Sequence, residues 1–548
     1  MDLHETIGLV LGMLIVAMAV ALLVRRWRLP YTIVLVIAGL IIALTRRVPA
    51  ITLSGDQYAI ICYNLLLPAL LFEAALNLKW EAFSRNWRAI FTLALPGTLV
   101  SIGLVGALVH YILGVPLTQA LLLGAIISPT DPLSVLAMFR QLGVSKRLSV
   151  LVEGESLFND AIGLVVFTIL LEASAPGAGI APLDGFLSFF VVSLGGAVVG
   201  AVLGIGASRL TAQVDDHLIE VTLSTVTAYG AFLGAEALQL GGHHFSGIIA
   251  VVVAGLLMGN YGKTTGMSAT TVVALHTFWE YAAFVVNSLV FLLIGTELGL
   301  IRSLPNLPVV VGYVLLVFVI LQIARAAVSY GAGALISRLW QHVPMAWRHL
   351  LVWGGLKGAL SMVMVLQVES LTRQWNGFDF LLTATFGVVF LSLMLQGLTI
   401  RPLTSRLGLA CRDEAATRYQ QLVGRMVAER AAVRELDRLA AAHAITPRLR
   451  DDLCAPHRAE IESTAGQIED LEAAAADLGR QQRREAARMV HHAQKSALLD
   501  AFQRGLVSEG TLAELVHEID DAHRSIEAVR DMQAREGQTP DPAEDTDP

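Results

Sequence analysis

Charged residues are scarce in this 548-residue chain: Asp, Glu, Lys and Arg make up 16% of it, against 55% hydrophobic residues. A soluble chain carries about a quarter charged residues, and its shorter apolar stretches follow helix or strand periodicity. Here the apolar residues form long runs separated by short basic loops, so the chain reads as a polytopic membrane protein. Cysteine is also sparse. Cys62, Cys411 and Cys454 are odd in number and unrelated in spacing, which excludes a disulfide framework and a cysteine metal site. No glycine-rich phosphate loop, metal constellation or catalytic triad occurs, so neither a cofactor, an enzymatic activity nor a nucleic-acid partner is expected. His243-His244 and His491-His492 each lack a second ligand pair and are expected to face water.

Runs long enough to cross the hydrocarbon fall near 6–24, 30–45, 57–77, 88–113, 118–139, 147–173, 184–210, 217–239, 245–259, 273–299, 308–337, 347–370 and 379–400. That is about thirteen, with the termini on opposite sides. The first run is followed, not preceded, by Arg25-Arg26-Trp27-Arg28, as in a retained span whose N-terminus lies outside. With this orientation the inner loops collect seventeen Lys and Arg residues from Arg25 to Arg418, and the outer loops only Arg46, Arg47, Arg302 and Arg373. The excess on the cytoplasmic side supports both the count and the direction, in a cell (inner) membrane.

Residues 1–406 therefore read as a transmembrane domain. From residue 407 the composition turns to Ala, Glu, Arg, Asp and Leu, with helical spacing at Leu422, Met426 and Val433 and at Leu498, Phe502 and Leu506. Residues 407–536 are expected to form a helical cytoplasmic regulatory or interaction domain, and 537–548 to be disordered. After Arg418 the tail holds sixteen basic and twenty-five acidic residues, a net of −9, while the remainder carries +2.

A charge at bilayer depth costs at least about 2.5–3.5 kcal/mol, so intramembrane ionisable residues need partners or a function. They cluster here: Glu73 in the third span, Asp131 in the fifth, Glu153, Glu155 and Asp160 in the sixth, Arg325 in the eleventh and Lys357 in the twelfth. Prolines in Ser128-Pro129-Thr130-Asp131-Pro132 remove hydrogen bonds to Ala125 and Ser128 oxygens, so the fifth span should break mid-membrane. Such backbone is tolerated where it lines a cavity, and freed carbonyls there coordinate ions in many transporters; a kink with a hydrogen-bonded Asp is the plainer reading. Gly354-Gly355-Leu356-Lys357-Gly358 interrupts the twelfth span seven spans later, as two inverted six-helix repeats joined by the seventh span would require. Lys357 would balance the carbonyl ends of the broken helices.

In the sixth span Ser156 and Asp160 share one helix face at i, i+4, and Glu155 and Asn159 the adjacent one. One stripe can present a hydroxyl and a carboxylate to an ion while its neighbour holds a structural network. A bare carboxylate is costly when buried, so Asp160 would hold either a proton or a cation, and competition for it is a mechanism of exchange. Arg325 needs an anion, for which Glu155 is the preferred partner. Glu73 suits a peripheral ligand, a proton-sensitive gate or a water-facing residue.

Phe72-Glu73-Ala74-Ala75, Ser128 to Pro132, Glu153-Gly154-Glu155-Ser156 leading to Asn159-Asp160, and Trp353 to Ala359 together resemble the monovalent cation/proton antiporter family, in particular its NhaP-type sodium/proton exchangers. Glu220, Tyr229, Glu236 and Ser246-Gly247 extend the resemblance, which covers residues 1–410. It implies crossed discontinuous helices and a homodimer in lipid, in which a six-helix core bundle moves against a dimerisation domain. It also implies Na+ exchanged for H+, with Li+ or K+ as other candidate cations. Asp160 is then the ion-binding carboxylate, assisted by Asp131, Thr130 and Ser156, with Glu73 as a peripheral candidate. Na+ would sit at Asp160, Asp131 and Ser156, with Asn159, Glu155, Arg325 and Lys357 stabilising the site. Lys357 stands where arginine is frequent, which changes its donor geometry.

One titratable group in the Asn159-Asp160 pair predicts one-for-one, voltage-insensitive exchange. Two other readings compete. An intramembrane aspartyl protease could use Asp131 and Asp160, but its glycine-flanked Asp signatures are absent. A monovalent cation channel would need passive, faster flux, and broken helices in equivalent halves favour a transporter.

Overall fold

The computed structural model describes residues 3–27, 31–45, 62–174, 182–214, 216–263, 267, 269–298, 307–372, 378–410 and 414–474, with isolated positions between 494 and 518. The loops carrying Arg46, Arg47, Arg302 and Arg373, most of the tail beyond 474, and the 537–548 segment lie outside the described residues. The chain separates into two compact units, Met1–Cys411 and Arg412–Pro548.

The first unit is helical, its apolar runs satisfying their backbone internally, as hydrocarbon demands. In order it comprises α1 (Leu3–Trp27), α2 (Tyr31–Thr45), α3 (Leu67–Asn77), α4 (Trp80–Leu113), α5 (Leu117–Ile127), α6 (Leu133–Leu142), α7 (Lys146–Ala173), α8 (Pro182–Thr211) and α9 (His217–Ala237). There follow α10 (Gly247–Leu257), α11 (Ala269–Leu298), α12 (Leu307–Leu339), α13 (Met345–Trp353), α14 (Ala359–Thr372), α15 (Phe378–Leu391) and α16 (Gly397–Arg406). Among the described residues seven helices are long and apolar enough to cross a membrane, and shorter apolar helices of 10–17 residues account for further segments. Exposed Leu194, Val198 and Val202 on α8 suit a lipid environment. The short ninth run is lengthened by a π turn, Met258–Gly262, that continues α10. A two-stranded hairpin pairs Gln239 with His244 and Leu240 with His243. His243 is half-buried against the Ser188 hydroxyl at 2.9 Å, so it does not simply face water.

Two groups of helices pack mainly within themselves: α1 to α3 with α8 to α11, and α4 to α7 with α12 to α16. In the first, α2 and α11 cross at Gly39 and Gly295, where a Cβ on Gly39 would fall 2.9 Å from Gly295 Cα. The second group contains both interrupted segments.

The second unit contains α17 (Glu414–Ala441) and α18 (Pro447–Ala474), which pack as a hairpin around buried Leu422 and Cys454. Arg425 pairs with Glu460 at 3.1 Å, and His457 meets Glu429 at 2.5 Å.

Candidate ion-binding site

Residues 128–132 separate α5 from α6, and residues 354–358 separate α13 from α14, leaving two five-residue breaks in otherwise helical segments. The breaks touch. The Asp131 backbone N–H donates to Leu356 O at 2.7 Å, and Lys357 Nζ donates to Ser128 O at 2.9 Å and Pro129 O at 3.2 Å. The ammonium thus neutralises the Ser128 carbonyl, which Pro132 leaves without a helical partner, and the Pro129 carbonyl beside it. The crossing is close because glycine lines it: a Cβ on Gly358 would fall 2.5 Å from Asp131 Cβ, and one on Gly163 of α7 would fall 2.7 Å from Pro129 Cγ.

Helix α7 runs beside the first break. Asn159, 2% exposed, donates from Nδ2 to Ser128 O at 3.3 Å and Thr130 Oγ1 at 3.4 Å, and its Oδ1 accepts from Thr98 of α4 at 2.7 Å. Ser156 donates to the Thr130 carbonyl, and the Thr130 hydroxyl donates to Ser156 Oγ at 3.3 Å. Asp160 accepts the Thr130 backbone N–H, and the charged groups acting on it are Asp131, Lys357 and Glu155. Its Oδ1 is buried and has no protein donor among the described residues. Asp131 Oδ1 caps α6 by accepting the Leu133 N–H at 3.0 Å.

Arg325 of α12 grips Glu155 with two nitrogens, at 2.5 Å and 3.0 Å, and donates from Nε to Leu351 O at 3.2 Å. A small pocket reaches this region between the first break, α7, α12 and α13, lined by Thr130, Asp131, Pro132, Glu155, Ser156, Arg325 and Gly354 among others.

Six of the residues singled out in the sequence therefore converge with Asp160: Asp131, Thr130, Ser156, Asn159, Glu155 and Lys357. Arg325 reaches the site through Glu155. Glu73 stands apart, accepting from Asn77 at 2.6 Å, with Arg140, His276 and Glu280 as its charged neighbours; Glu153 faces it across the helix groups. Thr98 and Ser101 of α4 were not singled out, yet Thr98 holds Asn159 and Ser101 meets Ser128 Oγ at 3.2 Å. Their signal is two hydroxyls at i, i+3 in a strongly apolar run.

The transmembrane sodium/hydrogen exchanger family model matches residues 12–406. The chain belongs to the sodium/hydrogen exchanger family. Among curated exchangers it is similar to the Na(+)/H(+) antiporter NhaG of Bacillus atrophaeus, 37% identical over 451 residues covering 80% of this chain and 82% of the relative. It is also similar to the Na(+)/H(+) antiporter ApNhaP of Aphanothece halophytica, 38% identical over 401 residues covering 73% of each. The fold matches that of the sodium proton antiporter MjNhaP1 from Methanocaldococcus jannaschii with a TM-score of 0.63 at 19% identity, over 74% of this chain and 99% of that one. The exchanger fold is thus a polytopic, mostly helical membrane fold with both breaks in one helix group.

Proposed function

We propose that this chain exchanges Na+ for H+ one for one, by alternating access, at Asp160. The observation that carries the reading is the buried Asp160 oxygen without a protein donor among the described residues, beside two unwound segments. A carboxylate oxygen in such a place costs free energy until a proton or a cation reaches it. Thr130, Asp131 and Ser156 are the further oxygen-bearing groups within the constellation, and they are assigned to the sodium ion with Asp160. Glu73 enters as a charge on the approach with Glu153, not as a ligand.

Charge accounting supports the stoichiometry. Glu155 and Arg325 cancel as a pair, and Lys357 offsets one of the two aspartates. One negative charge remains, and a single Na+ or a single H+ neutralises it, so the core crosses the membrane uncharged in both loaded states. The moving part is assigned to the group holding both breaks, sliding against the group built on α2, α3 and α9 to α11. Thirteen segments, with each pair of half-helices counted as one, are assigned to the membrane, which puts the termini on opposite sides, and the excess of basic residues supports an N-terminus outside and a cytoplasmic tail. The tail is assigned to regulation or partner binding, and the functional form to a homodimer in the cell membrane.

The test is Asp160→Asn in proteoliposomes with an internal pH dye. Removing one charge about 4 Å from a monovalent ion, at an effective dielectric near 20, removes about 4 kcal/mol of attraction, roughly a thousandfold in affinity. Exchange should vanish at working sodium concentrations, and the unaltered protein should ignore an imposed membrane potential. Normal exchange by Asp160→Asn would remove Asp160 from this role, and voltage-driven exchange would remove the one-for-one count.

A further inference from the structure

Ser392 and Gln396 lie in a π turn, Ser392–Gln396, between α15 and α16, and both are 0% exposed. π turns inside helical segments are uncommon and recur at functional positions. Here the turn presents Ser392 to the second break. Ser392 Oγ accepts the Lys357 backbone N–H at 3.0 Å and donates its own proton to Gln396 Oε1 at 2.7 Å. A hydroxyl has one proton to give. Once Gln396 takes it, Ser392 can meet Lys357 only as an acceptor.

The Lys357 side chain is fastened elsewhere, by the Ser128 and Pro129 carbonyls of the first break. This lysine is therefore held at both ends, its backbone by the π turn and its ammonium by the other unwound segment. Gln396 Nε2, in contrast, is buried without a protein acceptor among the described residues. A leucine or methionine would fill similar space without burying an unpartnered donor. What the amide supplies, and an apolar side chain does not, is the acceptor that orients Ser392.

We propose that Gln396, acting through Ser392, is a positioning residue that fixes Lys357 between the two breaks and thereby holds the crossing in the form that takes up sodium. Loosening the lysine at its backbone lets the two breaks shift against each other, which weakens sodium binding without removing any group from the site. The inference rests on the reading of Asp160 as the exchange site.

Ser392→Ala, Gln396→Leu and the double variant, purified and placed in proteoliposomes, are to be compared with the unaltered protein over a range of sodium concentrations at one fixed pH. Each single change should raise the apparent sodium KM by about threefold and leave the rate at saturating sodium little changed, and the double no further than the larger single, because both act through one hydrogen bond. An unmoved KM, with rates that merely scale with the amount of protein, would overturn the inference, and so would effects that add in the double. If Gln396→Leu does not reach the membrane, Ser392→Ala decides alone: an unmoved KM overturns the assignment. Absence of exchange by the unaltered protein would sink the Asp160 reading itself, and this inference with it.

Discussion

The Arg325–Glu155 pair offers the sharpest separation of a scaffold from an ion ligand. The two side chains are only 11% and 3% exposed, and the contact is bidentate, at 2.5 Å and 3.0 Å. Removing one member of such a pair leaves the other charge buried and costs about 3–5 kcal/mol, whereas replacing both by apolar groups is often neutral or better. Arg325 has a further bond, from Nε to Leu351 O at 3.2 Å, whose loss adds about 1 kcal/mol in any variant that removes the guanidinium. Arg325→Met and Glu155→Leu should each be strongly destabilised, and the double variant should recover most of the loss, a coupling of about 3 kcal/mol. Unfolding of the purified protein in detergent reads the stability, and exchange in proteoliposomes reads the site. Since the pair is neutral as a unit, the double variant should keep its sodium KM. A stable double variant whose sodium KM has risen tenfold or more would place Glu155 on the ion and refute the scaffold role.

Two further outcomes follow from the crossing itself. Gly358→Ala puts a carbon within 2.5 Å of Asp131 Cβ, an overlap that only a shift of one break against the other relieves. Exchange should fall more than about tenfold, while Gly103→Ala, with nothing within 4 Å, should exchange normally; equal activity of the two would show that the close approach is dispensable. On the proposed competition of proton and sodium for Asp160, acidification should raise the apparent sodium KM and leave the rate at saturating sodium little changed. A loss of maximal rate at unchanged KM would contradict competition.

The first break was legible because proline acts on the backbone directly, Pro129 and Pro132 being unable to donate; the second was legible from Lys357 and its place seven spans later, since a glycine pair alone does not end a helix and Gly195-Gly196 stays helical within α8. Arg325 was legible as one half of a pair because an unpaired guanidinium is intolerable at that depth, and a carboxylate at 155 was the available anion. What the sequence could not show is which distant helices meet. Thr98 and Asn159 are 61 positions apart, and Ser392 meets Lys357 across 35; nothing in the local pattern of either run fixes the rotation that brings them together. Glu73 illustrates the same limit. Its span and depth suited a ligand, yet its carboxylate accepts from Asn77 one turn along the same helix, with Arg140 and His276 as charged neighbours.

The neighbouring residues Asn159 and Asp160 divide the work by the direction of their hydrogen bonds. Asn159 gives both of its contacts on the first break as a donor, to Ser128 O and to the Thr130 hydroxyl, and so holds that segment whatever ion is present. Asp160 takes the Thr130 N–H and keeps its other oxygen uncommitted. A carboxylate at 159 would aim an acceptor at the Ser128 carbonyl and would have to carry a proton to restore the bond. Position 159 is therefore shaped against a second variable charge by the acceptors of the first break as well as by its own chemistry. On the proposed assignment of Asp160, the break stays fastened through one neighbour while the ion is exchanged at the other, so that a single unit of charge is swapped without the site losing its form.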